Sequence, residues 1–228
     1  MERLLCTLRD ITKGYDEIIL LPNDQKRNLL FEQICSVLYI LPRGDKRSEN
    51  NWELENNELF RQLVAYLFIT NEDLVFIYRR MGGERRLVGG YAFPGGHVED
   101  IDQSEKRIDP HGLWQIILHA ALREFAEEIG WDNLISNEDQ QPLAFPEMHL
   151  SQLARPVALI NSSRTKVDRV HLGVVVHFPL VGISFNRIAE EGDVQWVTAV
   201  QLDELARTDK TDSWVSTLAP FLMQMLQM

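Results

Sequence analysis

The chain is short of the residues that define several large classes of protein. Its 228 residues include two cysteines, Cys6 and Cys35, too few for a disulfide framework or a cysteine-rich zinc site. Glycine and proline are also scarce (13 and 9), which argues against collagen-like repeats and, with 45% hydrophobic residues, against disorder. Lys and Arg number 23 against 34 Asp and Glu, and a net charge of −11 makes the chain a poor candidate for binding nucleic acid.

Long apolar runs are missing as well. No run approaches the roughly 20 residues that are needed to span a bilayer. Residues 1–17 interrupt their apolar positions with charges and lack the core of a signal peptide. We therefore expect a soluble, cytoplasmic, globular protein with no membrane partner and enough length for one sizeable core.

The first quarter of the chain differs from the rest in its pattern of apolar and polar residues. Residues 16–22 look like a short strand, and residues 27–41 begin with helical spacing, although their end fits a strand equally well. Residues 43–58 are polar and charged and are interpreted as a linker or surface loop. We predict an N-terminal extension over residues 1–57, packed on or flanking a domain that covers residues 58–228.

The larger segment is rich in short β-type runs. The runs at 62–69 and 74–80 are joined by a four-residue hairpin signal, and polar residues 100–112 look like a loop. Further strands are predicted at 91–98, 156–162, 170–181 and 194–199, and closing helices near 201–207 and 212–227. Mixed strands around one long central helix indicate an α/β or α+β fold with a single core.

That long helix is predicted between the loop and the later strands. Asp109 suits the N-cap, Pro110 suits the first helical position, and Gly130 is a natural C-terminal stop. On a helical wheel one apolar stripe emerges, made of Trp114, Ile117, Leu118, Ala121, Phe125 and Ile129.

Three glutamates lie close together near the end of this helix. Glu128 falls inside the apolar arc, Glu124 falls at its edge, and Glu127 is on the same turn. Burying a carboxylate is unfavourable, and neighbouring carboxylates raise one another's pKa. A divalent cation such as Mg²⁺ would relieve both problems, because hard cations prefer carboxylate oxygens. Taken alone, the same three glutamates also fit a solvated acidic face.

The residues around these glutamates resemble a known motif. Residues 123–131 match R-E-U-x-E-E-x-G-U, the second half of the Nudix box, at every position, and residues 95–99 resemble the Gly-Gly-x-x-Glu that opens it. The chain thus resembles a Nudix hydrolase from about Gln62 to Leu205. It is similar to a poorly characterised bacterial group with a Y-x-x-x-G-G-H turn, here 91–97, and an R-V-H-L-G strand, here 169–173. The resemblance implies an α/β/α sandwich with a mixed sheet and a long catalytic helix.

The box departs from the family pattern in two ways. Counting back from Arg123, the position of the first glutamate is occupied by Gln115. Between Gly96 and Gln115 lie 18 residues, 13 more than the pattern has. Loops tolerate such length changes well, so the insertion can extend the loop before the helix and leave the glutamates at its far end undisturbed.

The resemblance implies a pyrophosphohydrolase that cleaves a nucleoside diphosphate linked to another group, X, with Mg²⁺ or Mn²⁺. Glu127 and Glu128 would be metal ligands, and the backbone carbonyl of Gly95 would be a third. Glu124 would bind metal or act as the general base, held in place by Arg123. Which of these roles Glu124 takes is left open.

Other residues are candidates for contacts with substrate. Arg79 and Arg80, at the end of a predicted strand, suit a diphosphate but also fit a solvated hairpin, and His97 could contact substrate or be structural. Some family members take the general base from a later loop, where Glu190 and Glu191 are candidates; an exposed acidic turn is the alternative reading.

Two other functions fit the same fold. The first is a nucleotide-binding or regulatory module with weak or no turnover, which Gln115 and the insertion favour and the three glutamates oppose. The second is an enzyme like isopentenyl-diphosphate isomerase, whose chemistry needs a cysteine near the box, where this chain has none. The sequence identifies neither the X group nor the oligomeric state; a homodimer is one option, because N-terminal extensions often form dimer interfaces.

Overall fold

A computed structural model describes residues 3–12, 14–42, 54, 57–79, 89–102, 108–138, 141–144, 146–185, 194–208 and 210–226. Its strands are β1 (Arg3–Leu8), β2 (Ile18–Leu20), β3 (Leu38–Pro42), β4 (Phe60–Asn71), β5 (Leu74–Arg79), β6 (Tyr91–Ala92), β7 (Gly95–His97), β8 (Leu134–Ser136), β9 (Arg155–Ile160), β10 (His171–Pro179), β11 (Ile183–Phe185) and β12 (Val194–Thr198). Its α-helices are α1 (Asp24–Ser36), α2 (Pro110–Glu128), α3 (Pro146–Leu153), α4 (Lys166–Arg169), α5 (Ala199–Ala206), α6 (Ser213–Leu218) and α7 (Leu222–Leu226).

The chain divides into two compact units, each built from three segments. Unit 1 holds Met1–Ala65, Gly96–Ala120 and Pro156–Val175, and unit 2 holds Tyr66–Gly95, Ala121–Arg155 and Val176–Met228. The predicted domain boundary at residue 57 stays a prediction.

Unit 1 contains a strand that the sequence pattern did not predict. Strand β1 pairs antiparallel with β3, where Leu5 lies opposite Ile40, and with the start of β4, where Cys6 lies opposite Gln62. The four consecutive residues from Leu4 to Thr7 are all buried. The strand was missed because such a run lacks the two-residue alternation by which a half-buried strand is recognised.

Unit 2 contains the predicted hairpin. Strands β4 and β5 pair antiparallel with Asn71 opposite Leu74, and Glu72 in the turn between them has a φ of 54°. On its other side β5 pairs antiparallel with β12, where Trp196 lies opposite Phe76. Strand β5 is therefore held by hydrogen-bonded neighbours on both edges.

Strands β4 and β10 run parallel to each other. Near their first residues the Gln62 N–H donates to the Val170 carbonyl at 2.7 Å, and near their last residues the Leu180 N–H donates to the Thr70 carbonyl at 2.7 Å. Both strands thus advance in the same direction, whereas the hairpin pairs are antiparallel. The predicted mixed α/β fold with a mixed sheet is confirmed.

The prediction of one strand over residues 91–98 is wrong. Two short strands, β6 and β7, occupy this segment, with Phe93 and Pro94 between them. Proline has no N–H to donate to a sheet, and this accounts for the break. Of the loop predicted over residues 100–112, Asp100–Asp102 form a 3₁₀ turn, residues 103–107 lie outside the described residues, and α2 already begins at Pro110.

Two helical predictions need adjustment. The pattern over residues 27–41 resolves into α1 followed by β3, so its end is a strand. The pattern over residues 212–227 is interrupted by a single 3₁₀ turn at Ala219–Phe221, which contains Pro220, and proline cannot donate an intrahelical bond.

The linker predicted over residues 43–58 lies mostly outside the described residues. Within the described ranges no helix is long and apolar enough to cross a membrane.

A buried histidine in unit 2 is expected to make stability depend on pH. His177 is 3% exposed, and its Nε2 lies 2.8 Å from the Thr70 hydroxyl. Burial, followed by the charge of Arg155, lowers the pKa of His177 from 6.5 to about 4. Between these pH values the unfolded chain binds the proton and the folded chain does not, so stability is complete above pH 6.5 and falls as the pH drops towards 4.

We expect this histidine to lower the free energy of unfolding by about 2 kcal/mol between pH 7 and pH 5, at about 1.4 kcal/mol for each pH unit below its unfolded pKa. Urea unfolding at the two pH values measures the loss. A double variant, His177→Leu with Thr70→Val, keeps the apolar packing and should lose less stability over the same interval. An equal loss in the wild type and the double variant would show that His177 is not responsible.

Candidate active site

The long helix α2 begins and ends where its capping residues predicted. The Asp109 carboxylate accepts a hydrogen bond from the Gly112 N–H at 2.7 Å, and Pro110 is the first helical residue. Gly130 follows the helix with a φ of 84°, and its N–H donates to the Phe125 carbonyl at 3.0 Å. The helix therefore presents its last turn, which carries the glutamates, at a defined position in unit 2.

The three glutamates differ strongly in burial, and not in the predicted order. Glu124 is 9% exposed and Glu128 is half-buried, whereas the side chain of Glu127 is 60% exposed. The helical wheel predicted that Glu128 lies inside the apolar arc and Glu124 at its edge. The buried arc is wider on the Glu124 side than the wheel allowed, because Leu113 and Ala120 on that side are fully buried.

Glu124 is a buried carboxylate beside one cation. The Arg123 guanidinium donates to its Oε1 at 2.6 Å and lies 3.7 Å from Oε2 of Glu127. Burial raises the pKa of Glu124 to about 7; Arg123 opposes this rise, and the charges of Glu128 and Glu127 add to it. Arg123 therefore does not compensate fully for the loss of water around this carboxylate.

Within the described residues, donors from two strands, β5 and β7, hold Glu128. The Gly95 N–H donates to its Oε2 at 2.8 Å, and the Tyr78 hydroxyl donates to its Oε1 at 3.1 Å. Gly95 has a φ of 154°, a backbone conformation that side chains rarely adopt, so glycine is required at this position. Gly95, Glu124 and Glu128 are thus all parts of unit 2, as are Arg123 and Glu127.

The donor set is chemically suited to a hard cation. Glu124, Glu127 and Glu128 offer carboxylate oxygens within one helical turn, and a cation would supply the positive charge that buried Glu124 lacks. Within the part of the chain that the structure describes, no three His, Cys, Asp or Glu side chains are grouped so that they could hold a metal ion. The residue types fit Mg²⁺ or Mn²⁺, while Glu127 points to solvent and Glu124 is engaged by Arg123.

The residues predicted to contact substrate are distributed differently. Arg79 is at the end of β5 and its Nε donates to the Gly89 carbonyl at 3.1 Å, whereas Arg80 lies outside the described residues, as do Glu190 and Glu191. His97 belongs to unit 1, where its Nε2 lies 3.1 Å from Nε2 of His171.

Sequence reasoning missed Tyr78. A tyrosine within an apolar strand carries no motif, and its role becomes visible only through its contact with Glu128.

The two cysteines are not activated nucleophiles. Burial raises the pKa of Cys6 to about 12 and of Cys35 to about 11, so neither thiol is ionised near neutral pH.

One curated protein of similar length resembles this chain in sequence. No family model matches the chain. Protein YmaB of Bacillus subtilis (strain 168) is 25% identical over 214 residues, which cover 87% of this chain and 94% of that protein.

Two crystal structures cover most of the chain. Tm1382, a candidate Nudix hydrolase, superimposes with a TM-score of 0.63 at 20% identity and covers 98% of this chain and 99% of its own. A Nudix hydrolase from Alicyclobacillus acidocaldarius gives a TM-score of 0.50 at 19% identity over 72% of this chain and 91% of its own. The predicted resemblance is thereby confirmed at the level of structure: this chain has the Nudix hydrolase fold.

Proposed function

We propose that the chain is a metal-dependent hydrolase that cleaves the diphosphate bond of a small molecule containing a linked nucleoside diphosphate. The observation that carries the proposal is the pair of anchored glutamates at the end of α2. Glu124 is buried beside Arg123, and Glu128 is bonded to Gly95. These contacts coincide with the R-E-x-x-E-E segment of a chain that has the Nudix hydrolase fold.

In this proposal Glu127 and Glu128 hold Mg²⁺ or Mn²⁺, the backbone carbonyl of Gly95 is a further ligand, and Glu124 is either a third carboxylate ligand or the general base. A bound divalent cation neutralises the charge of a diphosphate and acidifies a coordinated water. Because the Glu127 side chain is exposed, it can turn towards a bound cation without disturbing the packing of the helix. Gly95 lies next to Glu128, since its N–H donates to that carboxylate.

Arg123 has a positioning role in the same scheme. Its guanidinium bonds to Glu124 at 2.6 Å and approaches Glu127 at 3.7 Å, so it restrains one carboxylate directly and draws the other towards the same side of the helix. Restrained in this way, Glu124 serves either as a ligand or as the general base. Under both assignments Arg123 holds the Glu124 carboxylate in place through this hydrogen bond.

A second candidate function is a nucleotide-binding or regulatory module with little turnover. Gln115 at the position of the first box glutamate favours it, as does the lack of a converged three-residue metal cluster in the described ranges. The two functions differ in what the same assay would give: release of product in one case, and ligand-induced stabilisation alone in the other.

We expect Glu127→Gln and Glu128→Gln each to reduce metal-dependent turnover at least about 100-fold, since losing even an outer-shell partner of a metal site commonly costs that much. The measurement is phosphate or nucleotide release from NADH, ADP-ribose, sugar nucleotides, dinucleoside polyphosphates and nucleoside triphosphates, with and without Mg²⁺ or Mn²⁺. The substrate that responds identifies X.

The matched control is Glu147→Gln, which removes an exposed glutamate in α3. It should retain wild-type turnover, and thermal unfolding should show that all three variants are folded. Full activity in Glu127→Gln or Glu128→Gln would remove that residue from the metal site. If the wild type releases no product from any substrate while nucleotides still raise its Tm, the binding module is favoured.

Gly95→Ala tests the turn that carries the proposed carbonyl ligand. A Cβ at a φ of 154° is strained, so we expect the free energy of unfolding to fall by about 1–3 kcal/mol, measured in urea. Turnover should also fall, because the Gly95 N–H would no longer align with Glu128. Gly182→Ala is the matched control in the same unit: with a φ of 71° and open space around it, it imposes backbone strain at a residue that is no part of the candidate site, and it should leave turnover unchanged. Equal turnover in both variants would contradict a role for Gly95.

A further inference from the structure

Two donors among the described residues bond the Glu128 carboxylate, one at each oxygen. We propose that Tyr78 is a positioning residue of the metal site, and that its hydroxyl sets the orientation in which Glu128 meets the cation. This inference rests on the proposed function and adds to it a residue outside the Nudix motif. Tyr78 would act only through Glu128 and would not touch the substrate.

The geometry of the contact supports orientation in particular. Tyr78 Oη lies 3.1 Å from Oε1 and the Gly95 N lies 2.8 Å from Oε2, so the two donors constrain opposite ends of one planar group. With a single donor, the carboxylate could still rotate about its last bond. Two donors on separate oxygens restrict that rotation, as is typical of preorganised sites.

Tyr78 is itself well placed to hold a fixed position. It lies in β5, where Val194 of β12 is opposite it on one side and Ala92 of β6 is opposite it on the other. A tyrosine side chain has few rotatable bonds, and Tyr78 is half-buried in a strand that is paired on both sides. It therefore loses little conformational freedom when its hydroxyl donates a hydrogen bond. Ala92 is followed three residues later by Gly95, so the segment that pairs with Tyr78 also supplies the second donor.

A hydrogen bond of this kind is compatible with metal binding. Each carboxylate oxygen has two lone pairs, so an oxygen that accepts a hydrogen bond can also ligate a cation. Carboxylates that bind metals are commonly hydrogen-bonded by outer residues, and removing such a partner weakens metal affinity about 10–100-fold.

The test is Tyr78→Phe, which removes the hydroxyl and keeps the ring. Isothermal titration calorimetry with Mn²⁺ alone should give a Kd that is weaker than in the wild type by about 10-fold or more. In turnover assays the Mg²⁺ concentration at half-maximal rate should rise by the same factor, and saturating Mg²⁺ should restore the rate. A loss of packing alone would lower the Tm without producing this metal-dependent rescue.

Tyr15→Phe is the matched control, because Tyr15 is exposed and its hydroxyl donates to the side chain of Gln33 at 3.2 Å. It should bind Mn²⁺ as the wild type does. A wild-type Kd in Tyr78→Phe would overturn the inference and leave the proposed function intact. Failure of the wild type to bind Mn²⁺ at all would instead overturn the proposed function, and the inference with it.

Discussion

The burial of the Glu124 carboxylate is the constraint on which the candidate site depends. The side chain lies on the packed side of α2, where water cannot solvate its charge, and Arg123 at 2.6 Å is the cation bonded to it. Desolvation still prevails over that arginine, because the pKa of Glu124 is raised to about 7. Folding therefore disfavours the charged form of Glu124. A further cation next to this carboxylate would resolve the imbalance, and this is the physical reason to read the helix end as a metal site.

The backbone at Gly95 connects this helix end to the sheet of unit 2. Its φ of 154° is available to glycine, and the resulting turn directs the N–H at Glu128. Tyr78 reaches the same carboxylate from β5, so two strands and one helix define the position of one side chain. The two glutamates are thus fixed by different means, Glu124 by packing and an arginine and Glu128 by neutral donors. Glu127, which is exposed, is the one that can adjust.

Much of the fold and of the candidate site could be predicted from local sequence signals, and each wrong or missing prediction has an identifiable cause. Asp109, Pro110 and Gly130 define the helix ends because capping depends on adjacent residues. The order of burial among the glutamates could not be derived, because a helical wheel does not reveal which neighbours cover Leu113 and Ala120. Strand β1 was missed because its buried run has no alternation, and Tyr78 was missed because its partner is 50 residues away along the chain.

The most direct test of the central claim is anomalous diffraction from crystals grown or soaked with Mn²⁺. The account predicts an anomalous peak at the end of α2, about 2.0–2.3 Å from carboxylate oxygens of Glu124, Glu127 or Glu128, as is typical of small hard cations. In crystals of Glu128→Gln the same peak should weaken or vanish. A well-ordered structure in Mn²⁺ with no peak at these carboxylates, or with its peak elsewhere, would contradict the account.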